Sequence, residues 1–142
     1  MILYLDTSAL VKMYVQEPGT EITHDLVLRA DACATSSIAY AETRAALARR
    51  HREGVLGPSA MSQIKSALLD DWQRLFVVPV TLVIAKLAGD LAELHALQGM
   101  DAVHLATALW LQEQQPGRLN FAAWDQRLLE AASRAGLPVE GH

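Results

Sequence analysis

Short apolar runs alternate with longer stretches of mixed polarity along this sequence, and the alternation predicts strands and helices in turn. The run from Met1 to Leu5 has no charged residue, which is typical of a strand buried on both faces of a sheet. Similar short runs predict further strands at Ala32–Thr35, Leu75–Val78, Leu119–Ala122 and Leu137–Val139.

Helices are predicted between these strands, with turn and capping residues at their ends. Thr7 and Ser8 can cap a helix that runs to about Val15, and Pro18-Gly19 separates it from the next. The other helices are predicted at Thr20–Arg29, from Ser36 or Ser37 to about Glu53, and at Ser59–Trp72, Thr81–Leu97, Asp101–Gln114 and Asp125–Arg134. Strands that alternate with helices imply an α/β fold with a parallel sheet covered on both faces, and we predict a single domain over residues 1–142.

Four acids stand where predicted elements meet: Asp6, Glu42, Asp101 and Asp125. Taken singly, each has an ordinary explanation. Asp101 and Asp125 can be helix caps or first-turn residues, Asp6 a turn residue, and Glu42 an exposed helical residue. However, ligands of parallel sheets bind beyond the carboxyl ends of the strands, where Asp6 and Asp125 are expected. If folding gathers all four carboxylates, their repulsion demands protons or metal cations.

Composition limits the class of protein. An apolar fraction of 51% with 20% charged residues describes a globular domain with a core. The longest apolar stretches, such as Leu75 to Val80, are far shorter than the ~20 residues needed to cross a bilayer, and we expect no membrane span. The N-terminus lacks the pattern of a secretory signal. The one cysteine, Cys33, cannot form an intrachain disulfide and is expected to pack as a small hydrophobe, so we expect a cytoplasmic protein.

The segments that carry the four acids resemble a known family. They are LYLDTSALVK with Asp6, SSIAYAETRAAL with Glu42, DAVHLATA with Asp101 and WDQRLLEAA with Asp125. In this order and spacing they are similar to the PIN-domain ribonucleases, and among these to the VapC-type toxins of bacterial toxin-antitoxin pairs. The resemblance covers essentially the whole chain. It implies a three-layer α/β/α sandwich with a central parallel sheet, and hydrolysis of RNA phosphodiester bonds by water activated at Mg²⁺ or Mn²⁺.

The resemblance also assigns roles to the acids. Asp6 and Asp101 are the expected first metal ligands, since Mg²⁺ takes oxygen ligands and is usually held by one or two carboxylates. Glu42 is expected to ligate the metal or to orient a water molecule there. Asp125 is expected to complete a second metal position or to act through water. Ser8 can orient the carboxylate of Asp6, although a plain first-turn role explains it equally well.

Three neighbouring residues have open interpretations. Many family members have Thr or Ser two residues before the last acid, whereas this chain has Ala123, which makes Asp125 the weakest of the acids. Trp124 can stack on an RNA base, but packing is favoured because Trp is usually buried. His104 lies three residues after Asp101 and can face the same side, yet its apolar setting favours a packed, hydrogen-bonded histidine.

The charge count opposes RNA binding at first sight. The chain has 12 Lys and Arg against 16 Asp and Glu, a net charge of −4, whereas nucleic-acid binders are usually basic. The four proposed site acids account for this excess, so the remaining surface is balanced. Arg44, two residues after Glu42, is the expected RNA contact. For Arg49, Arg50 and Arg52 a solvated helix end favoured by the helix dipole is the better explanation.

Resemblance to VapC-type toxins implies a homodimer and a cognate VapB-type antitoxin whose C-terminal segment covers the acidic groove. An antitoxin Arg or Lys in that negative field would compete with metal or RNA. A second hypothesis is a PIN-like binding or dimerisation module with weak or no catalysis, motivated by Ala123 and the acidic charge. A third, a phosphatase with Asp6 as nucleophile, is disfavoured because such enzymes carry a second Asp where this chain has Ser8.

Overall fold

The computed structural model describes residues 1–141, and its centre is one parallel sheet. The sheet has five strands in the order β3-β2-β1-β4-β5, and every neighbouring pair is parallel. The strands are β1 (Ile2–Leu5), β2 (Ala32–Ser36), β3 (Phe76–Val78), β4 (Leu119–Ala122) and β5 (Val139–Glu140). The predicted α/β fold with a parallel sheet is confirmed.

The helices occupy the connections between strands: α1 (Thr7–Val11), α2 (Thr20–Arg29), α3 (Ile38–Arg52), α4 (Pro58–Trp72), α5 (Leu82–His95), α6 (Gly99–Gln114) and α7 (Gln126–Arg134). Most bounds lie within two residues of those predicted. The first helix is shorter than predicted, because the segment after Val11 continues with turn hydrogen bonds such as Tyr14 N–H to Val11 O. The prediction that Asp101 starts a helix was also off: α6 begins at Gly99, which places Asp101 in its first turn.

Both faces of the sheet are covered by apolar side chains, as the run at the N-terminus predicts. On β1, Tyr4 points into a cluster formed largely by α5, α6 and α7, and its ring stacks on Phe121. Leu3 and Leu5 alternate to the opposite face and pack in a cluster with α1 and α2. Cys33 packs in this second cluster, where burial raises the pKa of its thiol. The sheet is therefore the middle layer of three.

The last strand lies two residues later than predicted. Leu137 is buried, but its N–H closes the end of α7 by donating to the carbonyl of Ala132. Pro138 follows, and pairing with β4 starts at Val139. The apolar character of Leu137 thus reflects packing at a helix end, because helix termini and strands both bury such residues.

The order of the strands fixes where a ligand can bind. The chain adds β2 and β3 on one side of β1 and then returns to add β4 on the other side. Such a switch in direction opens a crevice beyond the carboxyl ends of the two strands it separates, here β1 and β4. Asp6 follows β1 directly, and Asp125 follows β4 after two residues. Within residues 1–141, no helix is long and apolar enough to cross a membrane.

Candidate functional site

Asp6 directly follows β1, at the edge of the sheet where this crevice is expected, and is almost fully buried, with 3% of its surface exposed. Its Oδ1 accepts hydrogen bonds from the backbone N–H of Ala9 at 2.9 Å and from the hydroxyl of Ser8 at 2.7 Å, so Asp6 is the N-cap of α1. Burial raises its pKa to about 6, and the charge of Asp101 adds to the rise. The electrostatic interaction with His104 and the two hydrogen bonds oppose it.

Ser8 joins the ends of the two central strands. Its hydroxyl donates to Asp6 and accepts the backbone N–H of Trp124 at 2.9 Å, in the loop that follows β4. Both interpretations of Ser8 therefore hold, since it is a first-turn residue of α1 and also contacts the Asp6 carboxylate. This contact supplies a hydroxyl near the loop that lacks one at Ala123.

Glu42 enters the same region from α3 and is held by two side chains. Thr7 Oγ1 donates to its Oε1 at 2.6 Å, and His104 Nε2 lies 2.9 Å from the same oxygen. Burial raises the pKa of Glu42, but the hydrogen bonds from His104 and Thr7 outweigh it and hold the pKa below its usual value. Glu42 is therefore an ionised carboxylate held in place by Thr7 and His104, and not an ordinary exposed helical acid.

His104 is a packed, hydrogen-bonded histidine, as its apolar setting favours, and it also reaches the site. Only 1% of its surface is exposed, and its Nδ1 lies 2.8 Å from the hydroxyl of Tyr4. Burial raises the pKa of Tyr4 well above its usual value, so the phenol keeps its proton. Tyr4 was missed at the level of sequence because an aromatic residue in a buried strand is explained by packing alone.

Asp101 and Asp125 line a separate part of the crevice. They border an open cavity of about 330 Å³ together with Gln98, Gln126 and Arg127. Burial raises the pKa of Asp101, and the negative charges of Asp125 and Glu42 raise it further against the opposing field of His104. Asp125 is the N-cap of α7, with its Oδ1 accepting the N–H of Leu128 at 2.9 Å. The capping interpretation of Asp125 is correct and does not exclude a role of its charge.

The structure places Asp101 within electrostatic reach of each of the other three predicted acids. Asp101 is the link, because its charge acts on Asp6 while Glu42 and Asp125 act on Asp101. Within residues 1–141, no group of three or more His, Cys, Asp or Glu side chains is arranged to hold a metal ion by itself. Mg²⁺ does not require such a cage, since it keeps several waters and takes one or two carboxylates. A set made only of carboxylate oxygens suits Mg²⁺ or Mn²⁺ and lacks the Cys and His ligands that are typical of zinc sites.

The residues before Asp125 pack against the body of the domain. Ala123 is fully buried, and its N–H bonds to the carbonyl of Glu140 at 3.2 Å. The indole N–H of Trp124 donates to Thr23 Oγ1 at 3.1 Å, and its ring lies against Gly19. The packing role favoured for Trp124 is what the structure shows, and Ala123 stands where a larger side chain would enter the core.

The basic residues of α3 lie in different settings. Arg44 donates to the hydroxyl of Tyr40 at 3.1 Å and lies over its ring. Residues two apart on a helix do not face each other, so Arg44 is on a different side of α3 from Glu42. Arg49 and Arg52 are exposed, as expected for a solvated helix end, whereas Arg50 is half-buried and pairs with Glu17 at 2.8 Å.

Comparisons with known proteins identify the family and the fold. Residues 3–115 match the family model of the PIN domain. Ribonuclease VapC45 of Mycobacterium tuberculosis is 40% identical over 138 residues, which are 97% of this chain and 94% of the relative. Among solved structures, the sarcin-ricin loop cleaving toxin VapC20 of Mycobacterium tuberculosis covers 95% of both chains, with a TM-score of 0.68 and 21% identity. A toxin-antitoxin complex from Klebsiella pneumoniae covers 97% of this chain and 95% of its own, with a TM-score of 0.65 and 19% identity.

Proposed function

The chain belongs to the PIN-domain family and, at 40% identity over nearly its whole length, to the VapC ribonucleases within it, and on this basis we propose that it is a Mg²⁺- or Mn²⁺-dependent endoribonuclease. Its biological role would be that of the toxin of a type II toxin-antitoxin pair. The observation that carries the proposal is the coupling of Asp101 to Asp6, Glu42 and Asp125, because clustered carboxylates at a strand switch point need a cation to offset their repulsion.

The acids have different parts in this proposal. Asp6 and Asp101, the two whose pKa is raised, would hold the cation. Glu42 would contact the cation or a water molecule beside it, and Asp125 would complete the acidic wall of the cavity that it shares with Asp101. Ser8 keeps the Asp6 carboxylate oriented through its 2.7 Å hydrogen bond. When bound, Mg²⁺ would make a water molecule more acidic and offset charge that develops at phosphorus.

The RNA is expected to approach over the open cavity beside Asp101 and Asp125. Arg127 lines that cavity, so a positive side chain is present where phosphates would enter. Arg44, the contact expected from sequence, would serve a more distant part of the RNA, because it lies on another side of α3. With a net charge of −4, attraction of RNA depends on these local charges and on the bound cation.

The partners follow from the same family membership. We propose a cytoplasmic homodimer that is inhibited by a VapB-type antitoxin, in which a basic side chain enters the acidic crevice and competes with the metal. The support is the likeness of the whole chain to a subunit of a toxin-antitoxin complex. The single domain expected from the sequence would supply all of the nuclease site.

The central experiment compares RNA cleavage by the wild type with Asp101→Asn and Asp6→Asn, using a panel of structured RNAs with and without Mn²⁺. Cleavage that requires Mn²⁺ and falls by two or more orders of magnitude in both variants is expected, since carboxylates that hold a catalytic ion are removed. Asp90→Asn is the matched control, because it removes one exposed acid of α5 and should cleave like the wild type. Unchanged cleavage in folded Asp6→Asn and Asp101→Asn would refute the assignment.

The alternative is a PIN-like binding or dimerisation module with weak catalysis. It is favoured by one observation, the lack of a ready-made group of three metal ligands within residues 1–141. The same experiment separates the two functions, because a binding module would neither cleave the RNA panel nor gain activity with Mn²⁺.

A further inference from the structure

The hydrogen bonds of Glu42 fall on one of its two carboxylate oxygens. Thr7 Oγ1 lies 2.6 Å and His104 Nε2 lies 2.9 Å from Oε1, whereas Oε2 has no hydrogen bond within residues 1–141. The side chain of Glu42 is 23% exposed and that of His104 is 1% exposed. One oxygen is thus engaged by the buried His104 and the half-buried Thr7, and the other has no hydrogen bond to a described protein group.

The hydrogen atoms in the hydrogen bonds around Glu42 can be assigned from the donors and acceptors that each side chain offers. An ionised carboxylate only accepts, and Thr7 uses its single hydroxyl hydrogen towards Glu42. His104 Nε2, which also lies 3.0 Å from Thr7 Oγ1, must then carry a hydrogen that both oxygens share. In a neutral imidazole, Nδ1 is therefore the acceptor, and the hydroxyl of Tyr4 at 2.8 Å is its donor.

Tyr4 is itself held in place. It is fully buried on the central strand, and its ring stacks on Phe121 with centroids 5.5 Å apart and an angle of 7° between the planes. With a neutral His104, the Tyr4 hydroxyl is the donor to Nδ1 and favours the tautomer that carries its hydrogen on Nε2. A fixed tautomer keeps the Nε2–H directed at Glu42.

Asp6 shows the same division between its oxygens. Its Oδ1 accepts from both Ser8 and Ala9, and no hydrogen bond within residues 1–141 goes to Oδ2. Two neighbouring acids from different elements thus each present one unengaged oxygen. Single-oxygen ligation suits Mg²⁺, which demands near-octahedral geometry and keeps several waters.

We propose that Tyr4 and His104, together with Thr7, are positioning residues of the nuclease site that hold Oε1 of Glu42 and leave Oε2 to meet the cation or its water. The inference rests on the proposed function and deepens it. None of the three touches substrate. They act through Glu42, as partners of metal ligands generally do, and losing such a partner lowers metal affinity by about 10- to 100-fold.

The test measures Mn²⁺ affinity by calorimetry without RNA, and the tautomer of His104 by ¹⁵N NMR of the imidazole. We expect the Nε2–H tautomer in the wild type. His104→Leu should weaken Mn²⁺ binding by about tenfold or more, and His104→Gln, which restores a donor near the position of Nε2, should recover most of the affinity. These variants are compared only if thermal unfolding shows that they fold.

Tyr4→Phe keeps the inference testable if changes at His104 disturb folding. It removes one hydroxyl and keeps the ring on Phe121, and we expect a mixture of tautomers with Mn²⁺ binding weakened by about threefold or more, as the loss of one hydrogen bond implies. Tyr14→Phe is the matched control, because it also removes a hydrogen-bonded phenol hydroxyl, here bonded to Asp71, but lies in another cluster. It should retain the Mn²⁺ affinity of the wild type.

The outcomes separate this inference from the proposed function. A wild type that cleaves RNA and binds Mn²⁺, with equal affinity in Tyr4→Phe and His104→Leu, would overturn the positioning role and leave the nuclease intact. The Nδ1–H tautomer in the wild type would also overturn it. A wild type that neither binds Mn²⁺ nor cleaves RNA contradicts the proposed function itself and removes the inference with it.

Discussion

Two opposing effects act on the pKa of Asp6. As the N-cap of α1 it accepts two hydrogen bonds that favour its ionised form, yet its burial and the charge of Asp101 raise its pKa to about 6. The effect of burial is the largest, so without a cation the ionised Asp6 carboxylate destabilises the folded state. Such a residue is poised to bind a cation, because a positive ion removes the cost that folding imposes.

Replacing Asp6 by Asn should therefore stabilise the protein at neutral pH without metal. The folded pKa of about 6 lies above the ordinary value of 3.8, so the folded state binds more protons, and stability falls as pH rises between these values. Asn caps helices as well as Asp does and cannot ionise. The variant should gain about 2–3 kcal/mol in unfolding free energy above pH 6 and little below pH 4, as measured by urea unfolding with a chelator present. A difference between variant and wild type that does not change with pH would contradict this prediction.

The elements around the crevice are joined by a few contacts to one loop. Trp124, between β4 and α7, donates its backbone N–H to Ser8 of α1 and its indole N–H to Thr23 of α2. Its ring lies against Gly19, the N-cap of α2, which has a left-handed φ of 96°. Since Asp125 is the next residue, the packing of Trp124 fixes the position of the fourth acid.

Gly19→Ala should disturb this arrangement much more than the same change at a glycine in open space. A Cβ at Gly19 would lie 2.8 Å from the Trp124 ring, while one at Gly54, whose φ is also positive at 80°, would meet nothing within 4 Å. Left-handed strain of about 1–2 kcal/mol applies to both variants. The clash adds about 1–3 kcal/mol at Gly19 only, and RNA cleavage should fall with it.

Chemical denaturation and the cleavage assay check this pair. The measured contrast isolates the contact with Trp124, because both variants add one methyl group to a glycine in a similar conformation. Equal stability and equal activity of Gly19→Ala and Gly54→Ala would show that the Trp124 packing does not position the loop.

At the scale of the whole molecule, the excess of acidic over basic residues equals the number of acids in the proposed site. The chain has four more acidic than basic residues, and the proposed site contains four acids. A cation bound there would stabilise the folded chain, since the unfolded chain does not hold these carboxylates together. Net charge is consequently poor evidence against an RNA substrate here, because the metal would change the field that the RNA meets.

Mn²⁺ should thus raise the unfolding temperature, by an amount that grows with the logarithm of its concentration relative to the dissociation constant. At a concentration 100 times the dissociation constant, the gain is about 2.7 kcal/mol, which corresponds to a shift of roughly 5–10 °C for a domain of this size. Asp101→Asn should abolish most of the shift, because Asp101 is coupled to the other three acids. Differential scanning calorimetry at constant ionic strength, with Na⁺ as control, measures this. A shift of equal size in Asp101→Asn would place the cation elsewhere.

The fold was largely predictable from the sequence because local signals agree with the tertiary structure. The Met1–Leu5 run is buried on both faces of the sheet as a central strand, and Pro18-Gly19 and Gly136 break the chain where the structure turns. The predicted bounds of strands and helices were wrong where the same residue type is common in two kinds of local structure. Leu137 is buried at a helix end and not within a strand, and Asp101 lies inside the first turn of α6 instead of starting it.

By itself, the sequence determined the alternation of strands and helices, the family and the four acids, because these depend on local pattern and on the spacing of motifs. Their assignment as a metal site stays a prediction. Only the tertiary structure decided which acids influence one another, that Ser8 links Asp6 to Trp124, and that Tyr4, Thr7 and His104 converge on Glu42. Tyr4 and His104 are 100 residues apart in sequence, and hydrogen bonds over such separations arise from packing, which no local pattern encodes.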